Sequence, residues 1–285
     1  MSRGNESLDT RLKRIRHVAL DLDGTIYSGR TLFPFTLPFL DLLNEFGIGH
    51  TFLTNNSSKS TRDYLKHLAG FGISAMADQL CTSTQATLGC LRRDYPRVKR
   101  LFVLGTLSLR TELAEAGLVL TEDDSDDEPD AVLVGFDTSL VFSRLCRAAY
   151  WIKQAKPFIA THPDLVCPTD EPTVLVDCGS VCAALTKATG REPDAVLGKP
   201  DPAMLRGILE RHSLSPGQLA MAGDRLYTDM AMARRAGAMG VLVLTGETTA
   251  ADVAGGNLPV DLVVPDLEKF GEHLRSAHER KQVTP

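Results

Sequence analysis

The stretch HVALDLDGT, residues 17–25, joins a short apolar run to two carboxylates and a glycine. Residues 17–20 are typical of a buried parallel strand, which is apolar because both of its faces are covered. Asp21 and Asp23 follow where this strand ends, at the edge where open α/β sheets bind ligands. Gly24 permits the turn that would aim both side chains at one site. One carboxylate can attack a phosphoryl group, and the other can exchange protons with the leaving oxygen and with water.

Strand and helix patterns alternate on both sides of this stretch. Strands are predicted at 48–54, 79–83, 218–223, 239–246 and 260–266, and helices at 38–47, 57–72, 201–209 and 228–237. This alternation predicts an α/β fold with a doubly wound, Rossmann-like parallel sheet. The middle of the chain alternates in the same way, with strands at 100–105, 130–136 and 157–162 and helices at 108–117 and 142–155.

Three further motifs carry chemistry, although each one alone has a simpler explanation. Thr54-Asn55-Asn56-Ser57-Ser58 offers small polar groups before a predicted helix, which suits phosphate and equally suits helix capping. Lys199, between Gly198 and Pro200, is fixed in direction and can neutralise phosphate, or it is a solvated lysine. Asp224 ends an apolar strand and has the hard oxygen that Mg²⁺ prefers, whereas Asp229 suits a supporting group or a helix cap.

The four motifs together are more informative than any one of them. Three of them follow predicted strands, so they are expected at the same edge of the sheet. There they would supply a nucleophile, an acid/base, phosphate donors, a cation and a metal ligand, which are the groups that phosphoryl transfer needs. Because two motifs precede residue 84 and two follow residue 191, the middle of the chain is predicted to be an insertion in the sheet domain.

These motifs resemble those of the haloacid dehalogenase superfamily of phosphohydrolases. The match runs from about residue 17 to residue 270, and TNNSS, the long insert, GKP and GDRLYTD resemble the NagD-like, class IIA branch. The resemblance implies a Rossmann-like parallel-sheet core with an inserted α/β cap of the C2 type. The predicted domains are a disordered lead-in over 1–16, the core over 17–83 and 192–285, and the cap over 84–191.

The resemblance also implies a role for each matching residue. Asp21 would be the nucleophile and a Mg²⁺ ligand, and Asp23 the general acid/base and a ligand through its backbone carbonyl. Thr54 and Asn55 would hold the phosphate, and Lys199 would orient it and screen its charge. Asp224 would be the third protein ligand of Mg²⁺, with Asp229 supporting it from behind.

Two cap segments depart from the family pattern. His162 stands where the family commonly has Asn, and Asp177, Cys178 and Gly179 stand where it often has a glycine-rich stretch. This loop approaches the substrate in such caps, so the four residues are predicted to influence substrate choice. A second interpretation is that Asp177 or Ser180 caps the helix that follows, and the sequence leaves both open.

The composition of the chain limits the classes of binding partner that are expected. A net charge of -5 gives no general attraction for nucleic acid or anionic membrane, and no apolar run approaches the roughly 20 residues that span a bilayer. The six cysteines lack metal-site spacing and predict buried, unpaired thiols in a reducing cytoplasm. The acidic run 122–130 lacks the EF-hand pattern and predicts a solvated loop. A small phosphorylated metabolite is therefore the expected partner, and the resemblance allows a homodimer formed through the cap.

The leading hypothesis is a Mg²⁺-dependent phosphatase that acts on small phosphate monoesters. A phosphotransferase or mutase would share Asp21 and Asp23, and a non-catalytic scaffold would bind a phosphorylated ligand with the same fold. Because all the motif residues are present, hydrolysis is favoured over a scaffold. The sequence does not identify the metabolite, the oligomeric state or the function of the acidic loop.

Overall fold

The computed structural model describes residues 6–169, 172–255 and 260–279. By its internal contacts the chain divides into two compact units. The first unit comprises Met1–Leu53 and Pro200–Pro285, and the second comprises Thr54–Lys199. The sequence therefore leaves the first unit once and returns to it once, as an insertion does.

The α-helices of the described residues are short to medium in length. They are α1 (Leu8–Arg14), α2 (Thr36–Glu45), α3 (Thr61–Gly70), α4 (Ser83–Asp94), α5 (Leu107–Glu115), α6 (Phe142–Lys153), α7 (Cys178–Thr189), α8 (Ala203–Arg211), α9 (Ala231–Ala236), α10 (Ala250–Gly255) and α11 (Leu267–Glu279). Short 3₁₀ turns occur at Ala77–Gln79 and Pro216–Gln218, and a π-helical turn at Leu226–Met230. None of these helices, in the part of the chain that the structure describes, combines the length and apolar character of a membrane span.

The strands of the described residues have two to six residues each. They are β1 (His17–Asp21), β2 (Tyr27–Ser28), β3 (Thr31–Leu32), β4 (Gly49–Thr54), β5 (Leu80–Thr82), β6 (Arg100–Leu104), β7 (Val119–Leu120), β8 (Ala131–Val134), β9 (Phe158–Ala160), β10 (Val166–Cys167), β11 (Leu175–Val176), β12 (Ala195–Val196), β13 (Leu219–Gly223), β14 (Met239–Val243) and β15 (Leu262–Val264). The pair β2–β3 and the pair β10–β11 are antiparallel ribbons.

The first unit contains a parallel sheet in the order β15-β14-β13-β1-β4. All five residues of β1, of β13 and of β14 are buried, which explains why their sequences are apolar rather than alternating. In the register of β1 with β13, Leu20 lies opposite Ala222. Asp21 and Asp224 are therefore brought to the same edge of the sheet, one at the end of each strand.

The predicted disordered lead-in over residues 1–16 is wrong for the described part of that segment, because Leu8–Arg14 is helical. Leu12 and Ile15 are fully buried, and Arg11 forms an ion pair with Asp261 at 2.9 Å. Helix α1 packs against α11, so tertiary contacts stabilise a helix too short to form alone. Residues 1–5 of the predicted lead-in lie outside the described residues.

The second unit is built on a parallel sheet in the order β12-β9-β8-β6-β7. Its two faces bury alternate residues of the same strands, as the two-residue period of a strand requires. One face packs Phe102, Val132 and Phe158 against helix residues that include Trp151 and Leu185. The other face packs Leu101, Leu133 and Ile159 against Leu91 and Leu109. This unit therefore has a complete core of its own.

The predicted α/β class, with a parallel-sheet core and an inserted α/β unit, is confirmed by this architecture. The contact-based second unit, 54–199, is wider than the cap predicted over 84–191, because it also contains α3 and β5. The core over 17–83 and 192–285 stays a prediction, since a division by contacts does not test where a cap begins.

The acidic run 122–130 is an exposed loop held by basic side chains of the same unit. Arg100 pairs with Asp127, Lys156 with Glu128, and Arg147 with Asp123 at 3.2 Å. The Asp130 carboxylate accepts the backbone N–H groups of Lys99 and Arg100 at 2.8 Å. The loop is thus a local ion-pair network, in line with the predicted solvated loop.

All six cysteines are free, as predicted. Burial was predicted for all of them and holds only for Cys90, Cys178 and Cys182, whereas Cys146 is exposed. Cys178 and Cys182 lie one turn apart on α7, which places them on one helical face.

We expect His17 to make the first unit less stable in acid. Burial, together with the nearby His212, His50 and Arg211, lowers the pKa of His17 from 6.5 to about 4. The unfolded chain therefore binds more protons than the folded chain between these two pKa values, and stability falls as pH falls from about 6.5 to about 4. The full effect is about 3 kcal/mol.

Urea denaturation between pH 7.5 and pH 5 measures this effect. The His17→Gln variant, whose amide can still hydrogen-bond the Thr51 hydroxyl that His17 contacts at 2.8 Å, should show a shallower pH dependence than the unmodified chain. An unchanged slope in the variant would assign the acid sensitivity to other groups.

Candidate active site

Three buried carboxylates meet at the carboxyl edge of the first unit's sheet. They belong to Asp21, Asp224 and Asp229, and one oxygen of each lies within 4.8 Å of one oxygen of the others. Asp21 is the last residue of β1, and Asp224 follows the last residue of β13. The parallel register of these neighbouring strands is therefore what brings two of the three carboxylates together.

The chain turns directly after Asp21, as the Gly24 argument required. The backbone N–H groups of Thr25 and Ile26 both donate to the Leu22 carbonyl, and Gly24 N–H donates to Tyr27 O at 2.8 Å. Gly24 has φ +83°, and a Cβ on it would lie 2.5 Å from Asp224 Oδ2. Glycine is thus needed here both for its conformation and for the close approach.

Asp23 lies within this turn and is half-buried. The Tyr27 hydroxyl donates to its Oδ2 at 3.4 Å, a long hydrogen bond. Its carboxylate therefore remains partly accessible to solvent, whereas the carboxylate of Asp21 is buried. The two residues occupy different environments, which an acid/base and a nucleophile require.

A loop after β14 holds Asp224 in place. Glu247 N–H donates to Asp224 Oδ2 at 2.6 Å, and Thr248 N–H donates to the Asp224 carbonyl at 3.2 Å. A Cβ on Gly246 would overlap the Asp224 carboxylate, so this loop approaches as closely as its backbone permits. The other oxygen, Oδ1, is buried and has no hydrogen-bond partner among the described residues.

The electrostatics of this cluster are unfavourable for a carboxylate. Burial and the charges of Asp21 and Asp229 raise the pKa of Asp224 to about 8. The hydrogen bond from Glu247 and the charge of Arg225 act in the opposite direction but are weaker. The cluster is therefore a place where a positive charge would be strongly stabilised.

Asp229 reaches the cluster because its backbone follows a π-helical turn. The N–H groups of Asp229 and Met230 both donate to the Arg225 carbonyl, at 3.1 and 3.2 Å. The Asp229 carboxylate in turn accepts Arg225 N–H at 3.1 Å. The sequence predicts a regular helix over 228–237, and the structure has this π turn first and helix α9 only from Ala231. Such turns recur at functional sites.

A divalent cation fits this donor set. The ligands are hard carboxylate oxygens, Asp224 Oδ1 is buried without a partner among the described residues, and the pKa of Asp224 shows the excess of negative charge. Asp21 and Asp224 were predicted as ligands and Asp229 as a supporting group. One carboxylate oxygen of each of the three lies within 4.8 Å of the other two.

The second unit contains the other group of predicted residues, among them Asn55 and Lys199. Lys199 N–H donates to Asn55 Oδ1 at 2.7 Å, and Asn55 Nδ2 donates to Lys199 O at 3.0 Å. Both residues are buried. The structure therefore brings the second and third motifs together, although 144 residues separate them in sequence.

The TNNSS motif itself is a loop rather than a helix N-terminus. Strand β4 ends at Thr54 and helix α3 begins at Thr61, with Ser60 as the N-cap and Asp63 completing a capping box. The predicted helix is confirmed, but it begins four residues later than predicted, after the motif has ended. The Thr54 hydroxyl accepts Asn56 N–H at 3.2 Å, so the loop is ordered by its own side chains.

The predicted cap residues also lie together. Asp177 is the N-cap of α7, and its carboxylate accepts Cys178 N–H at 2.5 Å and His162 Nε2–H at 2.9 Å. Gly179 N–H donates to the Asp164 carbonyl at 2.8 Å, and a Cβ on Gly179 would overlap Pro163 O. The capping interpretation of Asp177 is confirmed, and substrate contact by the four predicted cap residues stays a prediction.

His162 is fully buried and enclosed by these groups. Burial opposes its protonation, but Cys178, Asp177 and Asp164 outweigh burial and raise its pKa to about 9. The Thr161 hydroxyl donates to Ser57 Oγ at 3.2 Å and so accepts from His162 Nδ1, 2.8 Å away. Both ring nitrogens are then donors, which is the bonding pattern of an imidazolium.

Comparison with known proteins identifies the family. Residues 18–119 match the haloacid dehalogenase-like hydrolase family, and residues 196–270 match a HAD-hydrolase-like family. The acid sugar phosphatase of Staphylococcus aureus is 31% identical over 258 residues, which cover 90% of this chain and 97% of that protein. The chain belongs to the haloacid dehalogenase superfamily. The predicted NagD-like class IIA branch is confirmed by the solved structures that follow.

The 4-nitrophenylphosphatase of Thermotoga maritima superposes with a TM-score of 0.85 at 37% identity, covering 92% of this chain and 98% of that one. NagD from Escherichia coli K-12 gives a TM-score of 0.78 at 29% identity, covering 90% and 98%. A glycerol phosphate phosphatase from Mycobacterium tuberculosis, solved in complex with magnesium, gives 0.81 at 30% identity, covering 93% and 77%. The chain is accordingly a phosphatase of this superfamily, which confirms the predicted enzyme class.

Sequence reasoning missed several residues that shape both groups. Glu247 and Gly246 come from a loop with no recognised motif, and Asp164 follows the predicted His162 by two positions without being singled out. Asp164 Oδ1 accepts Asn55 Nδ2–H at 3.1 Å across 109 residues of sequence. Apolar strands ending in TGET and THPD were the signal that was available, because polar residues after a buried parallel strand are candidates for a site.

We expect Asp224→Asn to raise the melting temperature of the metal-free protein. The substitution removes the free-energy cost of protonating the Asp224 carboxylate, or of burying it ionised, while keeping an oxygen that can accept Glu247 N–H. Added Mg²⁺ should raise the melting temperature of the unmodified chain and have little effect on the variant. Differential scanning fluorimetry with EDTA or with Mg²⁺ measures both effects, and Asp41→Asn, at an exposed carboxylate of α2, is the control. A full Mg²⁺ response in Asp224→Asn would contradict this site.

Proposed function

We propose that this phosphatase hydrolyses small phosphate monoesters with Mg²⁺, through a covalent aspartyl-phosphate on Asp21. The observation that supports this most is the buried cluster of Asp21, Asp224 and Asp229. It supports the proposal because the carboxylate proposed as the nucleophile belongs to a cluster that would attract a cation. Phosphatase activity is shared with the named relatives, and the metal and the intermediate are the proposed additions.

In the first step a carboxylate oxygen of Asp21 attacks phosphorus. A P–O bond forms to Asp21 while the bond from phosphorus to the ester oxygen breaks, and Asp23 gives its proton to that oxygen, which leaves as an alcohol. In the second step Asp23 takes a proton from water, whose oxygen attacks phosphorus. The bond to Asp21 breaks, inorganic phosphate leaves, and both carboxyl groups return to their starting states.

The residues proposed to hold Mg²⁺ are Asp21 and Asp224 through their carboxylates and Asp23 through its backbone carbonyl. Asp229 would support Asp224 from its position in the π turn. When bound, the metal would offset the negative charge of the phosphoryl group. A related glycerol phosphate phosphatase has been solved with magnesium, which supports the choice of metal.

Thr54, Asn55 and Lys199 are proposed as the phosphate-binding group. Family resemblance supports this assignment, and so does the burial of Lys199, since a lysine is seldom buried without an anion or a hydrogen-bond network. The mutual hydrogen bonds of Asn55 and Lys199 use the Asn55 side chain. We therefore expect Asn55 to offer phosphate its backbone rather than its amide.

The proposed substrate class is a small phosphorylated metabolite with an alcohol leaving group. The relatives named above include an acid sugar phosphatase and a glycerol phosphate phosphatase, and both names describe such esters. His162, Asp177, Cys178 and Gly179 are proposed to influence which ester is accepted. A cytoplasmic location is proposed from the six free cysteines.

We expect Asp21→Asn to abolish phosphate release from p-nitrophenyl phosphate and from a panel of metabolite phosphates. An amide nitrogen is too weak a nucleophile to accept the phosphoryl group. The unmodified enzyme, quenched in acid during turnover, should carry the added mass of one phosphoryl group on Asp21 in its peptide map. Undiminished turnover in Asp21→Asn, with a normal melting curve, would end the covalent mechanism.

We expect Asp23→Asn to slow alkyl phosphates by roughly 10²–10⁴-fold, the usual contribution of a general acid/base. With p-nitrophenyl phosphate the leaving group needs no proton, so the first step should survive while hydrolysis of the intermediate is slow. Stopped-flow measurement should then show a burst of p-nitrophenolate equal to the enzyme concentration. Equal slowing of both substrates, without a burst, would argue against Asp23 as the acid.

A further inference from the structure

The backbone of Lys199 is held by one side chain. Asn55 accepts the Lys199 N–H with Oδ1 at 2.7 Å and donates to the Lys199 carbonyl with Nδ2 at 3.0 Å. The second hydrogen of Nδ2 goes to Asp164 Oδ1 at 3.1 Å. All donors of this amide are thus in use, and the three residues are buried.

Asp164 and the Lys199 backbone together determine which way this amide points. In the opposite orientation the amide oxygen would face the Asp164 carboxylate and the Lys199 carbonyl, and the NH₂ group would face the Lys199 N–H. Every one of the three contacts would then be donor against donor or acceptor against acceptor. The Lys199 N–H, the Lys199 carbonyl and the Asp164 carboxylate therefore all disfavour that orientation.

The surrounding chain packs tightly against the hydrogen-bonded group of Asn55, Lys199 and Asp164. Gly198 has φ +69°, and a Cβ on it would lie 2.6 Å from Asn55 Oδ1 and 3.1 Å from His162 Cβ. His162 has one ring nitrogen within 4.8 Å of carboxylate oxygens of both Asp164 and Asp177. Cys178, Asp177 and Asp164 together raise the pKa of His162, so a positive imidazolium is stabilised beside the Asp164 carboxylate.

We propose that Asp164, which lies beside His162, is a positioning residue that acts on Lys199 through the side-chain amide of Asn55. The inference rests on the proposed function, because it assumes that Lys199 serves phosphate. It makes the THPD segment of the second unit part of the support for the catalytic lysine, in addition to any influence on substrate choice. Loss of the Asp164 acceptor leaves one buried Nδ2 hydrogen of Asn55 without its partner, so the amide holds the Lys199 backbone less firmly.

The test is a double-mutant cycle on kcat/KM for p-nitrophenyl phosphate. Asp164→Ala should lower kcat/KM roughly 10- to 100-fold when Lys199 is present, the size of effect that misplacing a reacting group produces. In a Lys199→Ala background the same substitution should change kcat/KM by no more than about twofold, because its target is gone. Asp124→Ala, at an exposed carboxylate of the acidic loop, is the matched control.

Competitive inhibition by inorganic phosphate gives a readout that a general loss of structure does not reproduce. The inhibition constant of phosphate should rise in Asp164→Ala relative to the unmodified enzyme. It should be the same in Lys199→Ala and in the double variant that carries both Lys199→Ala and Asp164→Ala. Asp164→Asn keeps an oxygen acceptor for Asn55 and should lose less activity than Asp164→Ala. If Asp164→Ala does not melt cooperatively, the same cycle is run with Asp164→Asn, whose smaller loss should again require Lys199.

Equal losses in the two backgrounds would overturn the proposal, because Asp164 would then act independently of Lys199. No loss in the presence of Lys199 would overturn it as well. The proposed function fails separately, if the unmodified enzyme shows no Mg²⁺-dependent turnover or if Asp21→Asn retains it. A chain that passes the Asp21 test and shows no coupling between Asp164 and Lys199 refutes the positioning inference alone.

Discussion

Mutual repulsion of buried carboxylates is the constraint on which the first unit depends. Strands β1 and β13 are neighbours in parallel register, so the residues that end them, Asp21 and Asp224, meet at one edge. Taking such charges out of water costs free energy that only fixed dipoles or a cation recover. The protein supplies dipoles through the backbone N–H groups of Glu247 and Arg225. Burial of the apolar strands offsets the rest of the free-energy cost of burying the carboxylates. Stability is thus given up at the edge where the chemistry is proposed.

In the second unit one of the buried charges is positive, because it belongs to the ammonium group of Lys199. Lys199 is buried, and its backbone rather than its ammonium group is held by Asn55. The charges around Asn55 are balanced in turn, since His162 lies among Asp164 and Asp177. Because the sheet of this unit is packed on both faces, the loops at its edge rest on a rigid support.

The sequence predicted the features that depend on neighbouring residues, and it missed those that depend on residues far away along the chain. The apolar runs of β1, β6, β8 and β13 predicted their strands. Because polar residues at the carboxyl ends of parallel strands share one edge of the sheet, the sequence also predicted that Asp21 and Asp224 lie together. Features that depend on distant partners were out of reach. The sequence of helix α1 looks like a charged tail, because only Leu12 and Ile15 of its segment are buried, and α1 packs against α11 from the other end of the chain. The π turn before α9 was equally hidden, since its sequence fits a regular helix and its unusual hydrogen bonds serve Asp229.

The hydrogen bonds between Asn55 and Lys199 also close a long loop. They join the first and last few residues of the segment Thr54–Lys199, which has its own sheet and its own core. A segment whose ends lie side by side can be lengthened, shortened or exchanged without moving the points where the host chain leaves and resumes. Closing such a loop costs little more entropy as it grows, so its interior is free to diverge. One asparagine therefore makes the second unit a replaceable module, in which new specificities can arise while the attachment to the rest of the enzyme stays unchanged.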